Sequence, residues 1–81
     1  MNPDQPKQLD ARGLLCPEPI RLAELAIRQL SAGAILSVQA TDPAAPIDFE
    51  AWCLRRKHEF LACEAFDDGW TIRVRKGPST S

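Results

Sequence analysis

The run Leu14-Leu15-Cys16-Pro17-Glu18-Pro19 constrains this chain more than any other. Proline lacks an N–H and fixes φ near the helical value, so helices accept it in their first turn and rarely later. Two prolines, followed by Ile20, Leu22, Ala23, Ala26, Ile27 and Leu30 at helical spacing, predict a helix from Pro17 to about Ser31. Cys16 then lies at or next to the N-cap. That position favours Ser, Thr, Asp or Asn, whose oxygen accepts an orphan N–H, and a thiol caps poorly. The residue is placed for chemistry rather than for capping.

A helix N-terminus carries roughly half a positive charge, which stabilises an anion and lowers a thiol pKa from about 8.5. The thiolate is the form that attacks a disulfide or persulfide sulfur, and the form that holds a terminal sulfur as Cys–S–S⁻. Arg12 and Arg21 are near enough in sequence to add positive charge, and Glu18 opposes them. Pro17 and Pro19 withhold two N–H donors, so the sulfur is expected to be oriented but loosely held. The competing reading is a small buried cysteine acting as a hydrophobe.

The rest of the chain supplies a frame for that position. Lys7 to Ala11 reads as a first strand, and Gly13 as the backbone turn into the motif. Gly33 suits the end of the first helix, and Ala34 to Ala40 a second strand. Strand, helix and strand with a crossover of this length predict a parallel, right-handed βαβ unit. Its helix N-terminus lies at the C-terminal edge of the strands, where α/β proteins place their chemistry.

The loop Thr41 to Pro46 leaves the second strand at that same edge. It brings Asp42 within reach of Cys16, as a turn or cap residue before a tuning or partner-contact group. A second helix is expected from about Pro46 or Ile47 to Lys57. Its apolar positions are Ile47, Ala51 and Leu54, with Phe49, Trp52 and Cys53 widening the arc. Where that arc stays exposed, Phe49 and Trp52 are candidate partner contacts. The basic run Arg55-Arg56-Lys57-His58 complements the helix dipole, or docks an acidic partner or RNA.

Glu59 to Phe66 and Trp70 to Arg75 form a hairpin about Asp67-Asp68-Gly69. Strict alternation turns Phe60, Ala62 and Phe66 inward, and Leu61, Cys63 and Ala65 outward. Cys63 would then be a partly exposed second thiol. The order βαβαββ gives an α+β, two-layer α/β sandwich, two helices packed on one face of a four-stranded mixed sheet. A single domain is expected over 7–77, with a disordered lead-in over 1–6 and a frayed tail over 78–81.

A net charge of −1 over 81 residues argues against a general attraction to nucleic acid, so direct nucleic-acid binding is not favoured. No apolar run is long enough to span a membrane, and no signal-peptide core is present, so a cytoplasmic location is expected. Three cysteines without a CxxC pair argue against a disulfide framework. Cys16, Cys53, Cys63 and His58 lack the short ligand pairs of structural zinc sites, so no metal is expected.

The stretch Leu9-Asp10-Ala11-Arg12-Gly13-Leu14-Leu15-Cys16-Pro17-Glu18-Pro19 resembles the signature of the TusA (SirA-like) sulfur-carrier family, whose mark is Cys-Pro-x-Pro opening the first helix. The likeness continues through Gly33, Val38, Asp42-Pro43, the second helix and Asp68-Gly69, over about residues 8 to 77. The resemblance implies a sulfurtransferase acting as a persulfide carrier on Cys16, with no cofactor beyond the covalent sulfur. Gly13, Pro17, Glu18 and Pro19 would be motif and positioning residues. It implies a cysteine desulfurase or rhodanese-like donor and a downstream sulfur-relay acceptor. The tRNA 2-thiouridine pathway comes first; molybdenum-cofactor and sulfur-oxidation routes are open. It also implies a fold shared with the C-terminal domain of translation initiation factor three. The alternative from another class is an RNA-binding or regulatory module using Arg55 to Lys57, and a third is a thiol redox protein pairing Cys16 with Cys63.

Overall fold

In the computed structural model, which describes residues 5–78, the elements follow in the order β1 (Lys7–Ala11), α1 (Glu18–Arg28), β2 (Ile35–Ala40), α2 (Ala45–Arg56), β3 (Glu59–Phe66) and β4 (Gly69–Arg75). The sheet order is β1-β2-β4-β3. β1 and β2 are parallel, and β4 runs antiparallel to both β2 and β3. Both helices pack on one face, which is the expected α+β arrangement. Most of the lead-in and tail expected at the chain ends lies outside the described residues.

The core forms where β2 is covered on both flanks. Leu36, Val38 and Ala40 of β2, Ile72 and Val74 of β4 and Ala11 of β1 meet Ala23 and Ile27 of α1. They also meet Ala45, Phe49, Trp52 and Cys53 of α2. Phe49 and Trp52 pack edge to face with ring centroids 5.7 Å apart. The Trp52 indole N–H, otherwise stranded by burial, donates to Glu24 Oε1 at 2.8 Å. α1 stops at Arg28, earlier than the sequence suggests, because the Gln29 and Leu30 N–H groups bond back only three residues, to Ala26 and Ile27. The Leu30 carbonyl accepts from Lys76 Nζ at 2.6 Å, and Gly33 turns the chain with φ +90.

Two expectations from periodicity are overturned. Ile47 and Leu54 are 75% and 84% exposed, and Ala51 also faces out. Two sets of α2 residues share helical spacing, and the set carrying Phe49 and Trp52 wins the core because it removes far more apolar surface from water. Phe49 and Trp52 are therefore core residues, 0% and 1% exposed, and offer no partner contact.

β3 carries the second correction. Phe60 pairs with Val74 and Ala62 with Arg73, so Leu61 is an extra residue in a bulge. From there the side-chain parity inverts. Cys63 falls opposite Ile72 and Ala65 opposite Trp70, on the helix-bearing face, while Ala62, Glu64 and Phe66 take the open face. Cys63 packs against the core rather than pointing outward.

The hairpin returns through Asp67 and Asp68, and Gly69 opens β4 under the end of β2. A Cβ at Gly69 would lie 2.4 Å from the Ala40 carbonyl oxygen. Gly69→Ala is expected to cost about 1–3 kcal/mol by overpacking, read as a lower urea midpoint at unchanged m-value. An unshifted midpoint would show that β2 and β4 have room this packing denies.

Candidate functional site

β1 and β2 are parallel, so the segments that leave them, Arg12 to Pro17 and Thr41 to Ala44, emerge side by side at one sheet edge. Gly13 makes the first turn possible with φ +81, a region that side chains rarely adopt. Its N–H donates to Thr41 Oγ1 at 2.9 Å. The Leu14 N–H closes on the Ala11 carbonyl at 3.3 Å.

Asp42 joins the two segments. It is 7% exposed, and each carboxylate oxygen accepts one backbone N–H: Oδ2 from Cys16 at 2.9 Å, Oδ1 from Ala44 at 3.2 Å. Its main-chain carbonyl accepts the Ala45 N–H at 2.9 Å. A buried carboxylate is costly unless bonded in this way. Asp42 thus fixes the main chain of Cys16 and the start of α2 with a single side chain.

α1 begins with Pro17 as its N-cap, with no side-chain capping bond, and Pro19 buried behind it. The Cys16–Pro17 peptide is cis. Cys16 therefore precedes the cap, while Glu18 N–H bonds to the Leu15 carbonyl at 2.9 Å. Its side chain is exposed, flanked in sequence by Leu15, which is 68% exposed.

The thiol pKa moves opposite to the sequence expectation. The Asp48 carboxylate, in the first turn of α2, favours the protonated form of the thiol. That effect, then partial desolvation, then the charges of Asp48 and Asp42 push the thiol above its usual value. The helix dipole is strong only over its first turn, and Cys16 sits before it. Nor do the nearby arginines help. Arg12 is held by Asp10 at 2.9 Å, a pairing that brings the Asp10 carboxyl to about 2. Arg21 is held by Glu18 at 2.7 Å.

The remaining candidates lie elsewhere. Arg55 and Arg56 line a groove of about 720 Å3 between α1 and α2, with Ile20, Arg21, Leu25 and Arg28. There Glu24 pairs with Arg56 at 3.4 Å and Arg28 at 3.6 Å. Burial pushes the Cys53 thiol up to about 11 and raises Cys63 as well, so neither is a ready nucleophile. His58 accepts the Gly77 N–H on Nδ1 at 3.0 Å and stacks obliquely on Trp52. No metal-ligating cluster of three occurs among the described residues.

Asp48 is the site residue that sequence reasoning passed over. An acid in the first turn of a helix reads as a dipole partner. Only its arrival at the same sheet edge as Asp42 hinted at more.

The family described as Sulfurtransferase TusA matches residues 7–76. Two relatives named Sulfur carrier protein TusA are each 39% identical. That of Pseudomonas syringae pv. syringae (strain B728a) aligns over 69 residues, 85% of this chain and 82% of its own. That of Pseudomonas savastanoi pv. phaseolicola (strain 1448A / Race 6) aligns over 70 residues, 86% and 83%. YrkF of Bacillus subtilis (strain 168) is 42% identical over 71 residues, 85% of this chain, which spans only 37% of YrkF.

Asp42→Ala leaves the Cys16 and Ala44 N–H groups without their acceptor. The expected loss is about 1–3 kcal/mol of stability, with faster hydrogen exchange at the Cys16 amide. Asp42→Asn keeps a carbonyl oxygen and should recover part of both. Unchanged exchange at Cys16 in the alanine variant would deny Asp42 its tethering role.

Proposed function

Because the chain belongs to the TusA sulfurtransferase family, we propose that its sulfur-carrier role is performed by Cys16, which accepts a sulfane sulfur as a persulfide and relays it to an acceptor protein. The observation that carries this reading is the contrast among the three cysteines. Cys16 is exposed at the edge where two helices begin, Cys53 is buried, and Cys63 is half-buried against the core.

The step is an exchange in which nothing is oxidised overall. The Cys16 sulfur attacks the terminal sulfur of a donor persulfide. The new S–S bond forms at Cys16, the donor's S–S bond breaks, and the donor cysteine leaves as a thiolate that takes up the Cys16 proton. Delivery repeats the exchange with the acceptor as attacker. The described residues hold no histidine next to Cys16, since His58 is committed to Gly77 beyond the far end of α2. A partner completing the reacting centre fits that arrangement.

The donor would be a cysteine desulfurase or a rhodanese-like protein, and the acceptor a relay protein. Thiolation of tRNA uridine is the favoured destination, ahead of molybdenum-cofactor assembly or sulfur oxidation, and the setting would be the cytoplasm. No helix of the described residues is long and apolar enough to cross a membrane. Exposed Leu15, the residue before Cys16, gives a partner apolar surface beside the sulfur. The basic run 55–57 gives the RNA-binding alternative less to work with, because Arg56 faces Glu24.

Intact-mass measurement after incubation with a persulfide-loaded cysteine desulfurase tests this. Wild-type protein should gain the mass of one sulfur atom, and Cys16→Ser should gain none while keeping its circular dichroism spectrum. Sulfur gain by the serine variant would place the carrier atom on another thiol.

A further inference from the structure

His58 is the one histidine of the chain, and a turn rather than a helix sets its place. Lys57 closes α2 in the left-handed region with φ +63, and the His58 N–H bonds back to the Cys53 carbonyl at 2.9 Å. The ring lies half-buried against Trp52, with centroids 5.0 Å apart. Its Nδ1 accepts the Gly77 N–H at 3.0 Å. That bond joins the turn between α2 and β3 to the chain that leaves β4.

Gly77 is fitted to this contact. A Cβ on it would collide with the Lys57 carbonyl oxygen, so the bare backbone lies on the turn. Lys76, just before it, belongs to the sheet. Its N–H donates to the Ala34 carbonyl and its carbonyl accepts the Gly33 N–H, both at 2.8 Å. The grip of the sheet therefore ends at Lys76, and the His58 ring takes over at Gly77.

The contact depends on one lone pair. A neutral imidazole has one bare nitrogen and one N–H, so accepting on Nδ1 requires the proton on Nε2. An imidazolium donates from both nitrogens and would set its Nδ1–H against the Gly77 N–H. The charged groups about the ring are Glu24 of α1, Arg56 of α2 and Lys76 beyond β4. Glu59, next in β3, is held by Arg75 at 3.1 Å. Burial, with Lys76 and Arg56 acting the same way, outweighs the pull of Glu24 and lowers the pKa of the ring.

We propose that His58 is an acid-released latch on the C-terminal end of this chain: the neutral ring pins Gly77 across the end of α2, and protonation frees the chain from Gly77 onward while β4 keeps its place in the sheet. The latch is independent of the sulfur-carrier reading. Opening returns the ring to water and to the ordinary histidine value of about 6.5, so protons favour the open form. The latch is at full strength above about pH 6.5 and weakens as pH falls through that value towards the lower one of the closed form.

Amide exchange and nitrogen spectra across a pH titration test it, and the ring signals of a lone histidine are unambiguous. At about pH 7.5 the ring nitrogens should show a bare Nδ1 and a protonated Nε2. Protection of the Gly77 amide, taken against an unstructured glycine at the same pH, should fall about fivefold between about pH 7.5 and 5. The fall should share its midpoint with the ring titration. His58→Asn places an amide oxygen near the position of Nδ1 and does not titrate, so protection should persist and lose its pH dependence. His58→Phe keeps a ring on Trp52 without an acceptor, and should lose about fivefold of the protection at neutral pH. Gly77→Ala cannot seat on the turn, so the His58 pKa should rise towards its ordinary value.

A neutral ring with its proton on Nδ1 overturns the assignment. So does Gly77 protection that stays level through the ring titration, or that survives in His58→Phe.

Discussion

One buried carboxylate holds the working edge of this molecule together. Asp42 gives an oxygen to the chain that precedes α1 and the other to the chain that opens α2. Desolvating an acid is costly, and two charge-assisted bonds to backbone donors offset that cost only while both segments stay in place. The two βα junctions are coupled as a result. Displacing either one leaves a charged group in a poor environment. The thiol side chain itself is not part of this bond, so the main chain of Cys16 is fixed while its sulfur stays at the surface.

The sheet makes this coupling available. β1 and β2 are the adjacent parallel pair, so they release their chains side by side at one edge, and β3 ends at that edge on the far side of β4. The hairpin of β3 and β4 turns at that edge too: Gly69 lets β4 begin against the Ala40 carbonyl, and the Asp68 charge acts on Arg12. Its main contribution is Ile72 and Val74, which complete the surface under Trp52 and Phe49. Packing of α2 by those rings sets where its first turn points, and hence where Asp48 stands. Function at the edge depends on a core assembled from the opposite end of the chain.

Much of this was legible in the sequence, because its signals are local. Prolines at 17 and 19, the β-prone run of β2 and the loop chemistry after Ala40 each state their own structure. What failed was anything that required choosing between two patterns with equal period. Ile47-Ala51-Leu54 and Phe49-Trp52-Cys53 both mark one side of a helix, and only the area buried decides between them. The bulge at Leu61 leaves no mark at all, yet it reverses every later side chain of β3 and takes Cys63 inward. The site was half legible. Cys16 and Asp42 follow from topology, whereas Asp48 needs the pitch of α2. The expected downward pull on the thiol counted the α1 dipole and left out Asp48, and Cys16, next to the Pro17 cap as expected, answers to the acids instead.

A thiol held protonated by acids looks ill suited to transfer until both halves of the exchange are considered. Nucleophilicity of a thiolate rises with the pKa of its parent thiol, so a sulfur kept above the usual range attacks well once its proton is gone. The leaving ability of that sulfur runs the other way, because a higher pKa makes a slower departure. Under the carrier reading, Cys16 is the leaving group when its terminal sulfur is delivered. Under the carrier reading, the carboxylates that quiet the empty thiol also slow loss of the cargo to stray nucleophiles.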